Sequence, residues 1–409
     1  MLLGTVRDCK GATHMAGLVR SWDAAKAAAR MTRLRRARIA AGGITIAAAA
    51  ALIAGCSSSP STSSPPAATS SAPAASSSAP AAASSTPAAS GPVRMAIFYY
   101  NPSPYGVASL AGAKAEAAKL GIQLDAFDGN NNPQLQTTQI QDAITTGKYK
   151  AFWVWGLDDV ALTPVINKAI SAGIKVACAD YTWGTLAQQN TLAATQTCAT
   201  TIGQSIAPEA TNLETTMNGA CTKAVGTGHC NIAFLPGLAN YPTDTNRINQ
   251  MTAYYKSKSN YTFTVMPPGQ YDQTQSQSVA QTFFTAHKNI NVFATFGDQM
   301  AQGALTALKL VGGYTPGQNI LIIGYGGAQE IVNEVKTGLV YATLGLYPAG
   351  ESKLGIQYLD DAVQGKSIPN LVNIIDPASR PAVINKAFLD AHPSYVPDWN
   401  LEGGLGTAG

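Results

Sequence analysis

Residues 93–127 read VRMAIFYYNPSPYGVASLAGAKAEAAKLGIQLDAF. Val93–Tyr100 is a β-rich run. Pro104–Leu120 carries apolar residues at helical spacing (Val107, Leu110, Ala111, Ala118) and stops at Gly121, and Ile122–Phe127 is a second strand. The pattern continues with a helix from Pro133 to about Thr146, strand Ala151–Trp155, a helix from about Asp159 to Ala172 and strand Ile174–Ala179. A long helical segment, Thr201–Met217, leads into a second series: strand Asn231–Leu235, helix Thr243–Ser257, strand Tyr261–Met266, helix Gln273–Ala286 and strand Val292–Phe296. Helix Gln299–Val311, strand Ile320–Gly324, helix Ala328–Thr337, strand Tyr341–Leu346, helix Glu351–Gln364 and strand Leu371–Ile375 complete it. Short apolar strands alternating with helices predict an α/β protein of two doubly wound, parallel-sheet lobes, buried on both faces. In such sheets a ligand sits at the carboxyl ends of the strands, so the cleft between the halves is the expected site.

The charge is low and unevenly placed. Of 409 residues, 12% are charged, about half the ~25% of ordinary soluble domains. Residues 1–55 hold nine Lys/Arg against Asp8 and Asp23, a net of +7, so the +4 of the whole chain leaves −3 for the remainder. The basic balance therefore belongs to the leader, and a nucleic-acid-binding surface is not expected. A single long apolar run also excludes a polytopic membrane protein.

That run lies in the leader. Met31-Thr32-Arg33-Leu34-Arg35-Arg36-Ala37-Arg38 precedes an Ala/Gly/Ile-rich stretch, Ile39–Ala54, and then Gly55-Cys56-Ser57. A positive segment, an apolar segment and small residues before a cut describe a secretory signal. Leu52-Ile53-Ala54-Gly55-Cys56 resembles the lipobox of bacterial lipoproteins, which implies that Cys56 is lipidated and begins the mature chain; an uncleaved anchor with an incidental Cys is the alternative. Met31 is the expected initiator, and residues 1–55 the leader. Residues 57–92 contain only Ser, Thr, Ala, Pro and Gly, so 56–92 is read as the lipidated Cys and a disordered linker. The expected location is extracytoplasmic, held by lipid to the outer face of the cell membrane.

Beyond Cys9 and Cys56, four cysteines remain: Cys178, Cys198, Cys221 and Cys230. An even number in an oxidising compartment predicts two disulfides, Cys221 with Cys230 across Gly226-Thr227-Gly228, and Cys178 with Cys198. Zinc is the alternative, but no Cys-x-x-Cys occurs and only His229 is near, so no metal is expected. No catalytic constellation is visible: there is no Gly-x-Ser-x-Gly elbow and no Walker loop. Gly324-Tyr325-Gly326-Gly327 follows a strand and precedes a helix, but its spacing is wrong for a dinucleotide loop and no acid follows at the ribose position. The chain is read as a non-enzyme without a cofactor.

Several stretches, in order, are similar to the type I periplasmic solute-binding proteins, the ribose/galactose-type sugar-binding components of ABC importers. They are Tyr100-Asn101-Pro102-Ser103-Pro104-Tyr105, Ala179-Asp180-Tyr181, Phe293–Ala304, Ile323-Gly324-Tyr325 and Tyr341-Ala342-Thr343-Leu344, spread over Val93–Ile375. The resemblance implies two lobes joined by three hinge crossings, placed near Cys198, Tyr347 and Leu371. Residues 93–198 plus 348–371 would form the N-terminal lobe, and 199–347 plus 372–409 the C-terminal lobe. It also implies capture of a sugar or sugar-like molecule by a monomer whose lobes close and then meet ABC permease subunits. A ligand-sensing lipoprotein that signals to a membrane receptor is the rival. A transcription regulator lacks its helix-turn-helix here, and an exported hydrolase lacks its elbow.

Sugar pockets in this family set aromatic rings against C–H faces and polar side chains against hydroxyls. By that resemblance Asn101, Tyr105, Asp180, Arg247 and Asp298 are candidate ligand contacts, and Trp155, Tyr181, Trp183, Phe296, Tyr325 and Tyr347 are candidate aromatic walls. Tyr181 stands where ribose binders carry Arg, Gly297 replaces an Asn, Gly326 an Asp and Leu346 a Gln, while Arg247 is offset from the family's arginine by two positions. These departures imply a less polar pocket, for a partly apolar or aromatic molecule or a sugar held by stacking. Each candidate has a plainer reading. The alternatives are core for Trp155, a turn cap for Asp180, a helix N-cap for Asp298 and a surface residue for Arg247.

Overall fold

The computed structural model describes residues 91–191, 197–239 and 241–399. The leader, Cys56, the linker up to residue 90 and residues 400–409 lie outside them, so the expectations placed there have no structural counterpart.

The first sheet is built from β1 (Arg94–Tyr99), β2 (Gln123–Asp128), β3 (Ala151–Val154), β4 (Lys175–Tyr181) and β5 (Thr200–Gln204), with helices α1 (Pro104–Leu120), α2 (Pro133–Thr146), α3 (Asp159–Ser171) and the short α4 (Leu186–Gln189) between them. The second sheet repeats the plan. α5 (Ile206–Val225) leads to β6 (Cys230–Leu235), α6 (Pro242–Lys256), β7 (Tyr261–Val265), α7 (Gln273–Ala286), β8 (Val292–Thr295), α8 (Asp298–Val311), β9 (Leu321–Gly326), α9 (Gln329–Thr337) and β10 (Ala342–Gly345). α10 (Pro348–Val363) and β11 (Leu371–Asn373) return to the first sheet, and β12 (Val383–Asn385) with α11 (Lys386–Ala391) to the second. Strand orders are β2-β1-β3-β4-β5-β11 and β7-β6-β8-β9-β10-β12. All pairings are parallel except β10 with β12. The chain is thus an α/β protein of two parallel-sheet lobes, as the alternation predicts. In each sheet the order reverses between the first and third strands, where a crevice opens at the carboxyl ends.

Local chemistry explains the elements. Ser103 and Asn132 cap α1 and α2 through their side chains, and Gly121 and Gly147 end those helices in left-handed geometry at φ 68° and 63°. The central strands β3, β8 and β10 are buried along their whole length, because helices cover both faces. Both predicted disulfides are present: Cys178 to Cys198 ties β4 to the segment entering β5, and Cys221 to Cys230 ties α5 to β6.

One segment corrects the sequence reading. The helix expected from Thr201 begins only at Ile206; Thr200, Thr201 and Ile202 are β-branched and buried, and they pair as β5 with β4 and β11 in the first sheet. A boundary at 198/199 therefore cuts off a strand of the first sheet, and the chain leaves that sheet after Gln204 rather than at Cys198. The other two crossings follow Gly345 and Asn373. β12 and α11, in the tail to which the sequence reading assigns no elements, add an antiparallel edge to the second sheet.

α10 is seated by close backbone approaches. A Cβ on Gly112 of α1 would lie 2.4 Å from the carbonyl oxygen of Ala349, and one on Gly355 would lie 2.3 Å from the buried ring of Trp153. Gly112→Ala should push α10 off α1 and cost about 1–3 kcal/mol, as overpacked cores do. Thermal denaturation would show this as a lowered melting temperature; an unchanged one would mean the helices part freely.

Candidate functional site

The carboxyl ends of the strands converge on a cavity between the lobes. Tyr100 follows β1, Trp155 follows β3, and Asp180 and Tyr181 end β4; Tyr241 precedes α6, Arg247 lies within it, Phe296 follows β8 and Tyr325 lies at the end of β9. The rings form a nearly continuous wall. Tyr100 and Trp155 lie 3.9 Å apart between centroids, Tyr105 and Trp155 4.5 Å, and Tyr100 and Tyr241, from opposite lobes, 5.5 Å. The cavity measures about 40 Å³, room for a few waters rather than a sugar ring. A ligand of that size therefore requires the lobes or the rings to part. A wider groove of about 380 Å³, along Asn101, Asn131, Gln270 and Tyr271, adjoins it.

Asp180 is the hub on the first lobe. Its backbone sits at φ 77°, a conformation that a non-glycine residue holds only when its surroundings fix it. The indole Nε1 of Trp155 donates to its Oδ2 at 3.1 Å, and the Tyr105 hydroxyl lies 3.4 Å from its Oδ1. The same hydroxyl donates to Glu351 Oε2 at 2.9 Å, so the first turn of α10 reaches the site.

Arg247 is the hub on the second lobe, and it is buried rather than solvated. Its Nε and Nη2 both donate to Glu209 Oε2, at 3.0 and 2.8 Å, and Nη1 lies 3.5 Å from Asp244 Oδ1. The guanidinium stacks within 4.8 Å of the Tyr181 ring on the first lobe and 5.1 Å of Phe296 and Tyr325. Tyr271 donates its hydroxyl to Asp244 at 2.7 Å.

Other candidates fall elsewhere. Asp298 does not line the central cavity; Ala328 N and the Thr343 hydroxyl donate to its two oxygens at 2.7 and 2.8 Å, so it staples the loop after β9 to β10. Trp183 packs in the apolar cluster on the other face of the first sheet, with Val154, Leu162 and Cys178. Tyr347 is fully buried at the second crossing, its hydroxyl donating to Pro381 O. Asn101 pairs with Asn131 at the groove instead of reaching the central cavity. Conversely, Glu209, Asp244, Glu351, Tyr241, Tyr271 and Trp399 belong to the site or its immediate support, and the sequence reading does not place them there. Trp399 comes from the tail: its Nε1 donates to the carbonyls of Gly326 and Leu346, at 2.8 and 3.0 Å, and its ring meets Tyr105 edge-on. The neighbouring Asp398 accepts from Gly350 N at 2.9 Å, capping α10. Among the described residues no group of His, Cys, Asp and Glu is arranged to hold a metal ion.

Comparison with known proteins agrees with the fold. A family model described as a periplasmic binding protein domain matches residues 96–367. The chain belongs to the periplasmic binding protein domain family. It is therefore a binding protein rather than an enzyme. It is 25% identical over 269 residues to the ribose import binding protein RbsB of Salmonella typhimurium, covering 65% of this chain and 83% of that one. A crystal structure of a galactofuranose binding protein superposes with a TM-score of 0.63 at 20% identity, covering 76% of this chain and 98% of the other. A periplasmic solute-binding protein of an ABC transporter from Actinobacillus succinogenes, with bound D-allose, gives 0.61 at 20% identity, with 74% and 100% covered. At these identities the superpositions bear on the fold alone.

Burial at and around this cavity has an electrostatic consequence. It pushes the carboxyl of Asp180 up to about 6 and those of Asp244 and Asp298 up to about 7, and it raises Glu209 and Glu351 well above the usual carboxylate range. These groups hold protons to a higher pH folded than unfolded, so between about pH 4 and 7 the folded chain binds more protons. Stability present at pH 4 is then lost as the pH rises through 7. Melting of the ligand-free protein should fall steadily from pH 4 to 8, and a rise across that range would show that the ionised forms are the stabilised ones.

Proposed function

We propose that the protein is the extracytoplasmic solute-binding component of an ABC importer, capturing a sugar or sugar-like molecule between its lobes and presenting the closed form to permease subunits. The observation that carries this reading is the aromatic cavity between two lobes, with Asp180 fixed at φ 77° beside Tyr105 and Trp155. Flat rings orient a sugar by its C–H faces, and a buried carboxylate selects hydroxyls that would be costly to leave unpaired. The names of the relatives, ribose import and galactofuranose binding, support the same class of ligand. Closure is the working motion: the ligand bridges groups from both lobes and shifts the population toward the closed form.

Of the eleven residues carried over by resemblance, the reading keeps Tyr105, Trp155, Asp180, Tyr181, Arg247, Phe296 and Tyr325. All seven line the cavity. A thermal-shift screen of the purified protein against pentoses, hexoses, polyols and aromatic metabolites should give a stabilising hit. A ligand at about 100 times its dissociation constant adds about 2.7 kcal/mol. Asp180→Ala should abolish that shift while the variant stays folded; an unchanged shift would remove Asp180 from the site.

The protein is further proposed to be a monomer held to the outer face of the membrane through a lipid on Cys56, with residues 57–92 as an uncharged leash. At ~3.1 Å per residue in extended polyproline form this leash reaches on the order of 100 Å. Mass spectrometry of the native protein should find a mature chain beginning at a diacylated Cys56. A chain starting elsewhere overturns the anchor.

A further inference from the structure

The central site carries more acid than its one guanidinium can match. Asp180 lines the cavity, and Glu209, Asp244 and Glu351 are buried directly behind its lining, on Arg247, Tyr271 and Tyr105; the cation among them, Arg247, is already committed to Glu209 and Asp244. Buried carboxylates are ordinarily paired; among the described residues neither Asp180 nor Glu351 makes a salt bridge, and the charge of Arg247 acts on Asp180 without contact.

The hydrogen-bond inventory shows the same shortfall. Asp180 and Glu351 both reach the hydroxyl of Tyr105, which has one proton to give. Trp155 supplies Asp180 with a second donor, whereas Glu351 Oε1, on a residue only 1% exposed, has none. The charges acting on Glu351 are those of Asp180, Asp398 and Glu209, every one negative. Beside these acids stand the mutually tilted rings of Tyr100, Tyr105 and Trp155, whose π faces attract a cation. Arg247, sandwiched by Tyr181, Phe296 and Tyr325, already uses that preference on the opposite side.

We infer that the solute this site selects bears a positive charge: a monosaccharide-sized molecule with a protonated amine, whose N–H groups meet Asp180 and Glu351 against the aromatic wall. An ammonium brings three donors and the missing charge together, whereas a hydroxyl brings one donor and no charge. The inference rests on the solute-binding reading above and adds to it the chemistry of the ligand.

Titration calorimetry on the purified protein separates the two. D-Galactosamine and D-glucosamine would be compared with D-galactose, D-glucose and the two N-acetylated amino sugars, at about pH 6.5 where the amines are protonated. The amino sugars should bind about tenfold or more tightly than both uncharged counterparts, the difference between a charge-assisted and a neutral hydrogen bond. Glu351→Gln should bring that ratio close to one, and Asp180→Asn gives a second reading should the first variant fold poorly. Equal or tighter binding of the uncharged sugars by the unaltered protein overturns the charge inference and leaves the solute-binding reading intact. Binding of no sugar, charged or uncharged, here and in the wider thermal-shift screen overturns both.

Discussion

The guanidinium of Arg247 is the point on which the closed cleft depends. It is a buried charge projecting from α6 of the second lobe, compensated by Glu209 from α5 and Asp244 from its own helix, and it lies over the ring of Tyr181 of the first lobe. Removing a single partner from such a group leaves a charge stranded in a low-dielectric interior, which costs far more than the pair contributes. The ring stacking that shields it brings aromatic residues from both sheets to one place, and that convergence defines the cavity. Arginine suits the role because its planar, weakly hydrated head stacks and donates at once, which lysine cannot reproduce.

The strand and helix plan was legible because both lobes are covered on both faces, so strands appear as short apolar runs and helices as the capped segments between them. β5 was hidden because Thr200 and Thr201 are polar by type yet buried by position, and the apolar spacing of α5 extends back over them. The aromatic lining was legible too: Tyr105, Trp155, Tyr181, Phe296 and Tyr325 sit directly at strand ends or one turn beyond, where the fold class puts a ligand. Asp298 follows the same rule and misleads, since its carboxyl turns back to hold β10 and the loop after β9.

The acids that set the electrostatics were not legible. Glu209 and Glu351 lie early in helices just after the chain crosses between lobes, and nothing in their local sequence separates them from an ordinary acid in a helix's first turn. Only the tertiary path brings Glu351 to Tyr105, 246 positions away. The departures from the family's polar residues suggested a drier pocket; the structure is aromatic as expected but supplies its polarity from these helices instead.

The tail has a mechanical consequence. Asp398 grips the first turn of α10, which packs on the first lobe, while Trp399, the next residue, grips two carbonyls of the second. Two adjacent residues thus span the same divide as the three covalent crossings and act as a fourth, breakable connection. Any rotation that parts α10 from the second lobe must therefore break these hydrogen bonds as well as bend the three crossings.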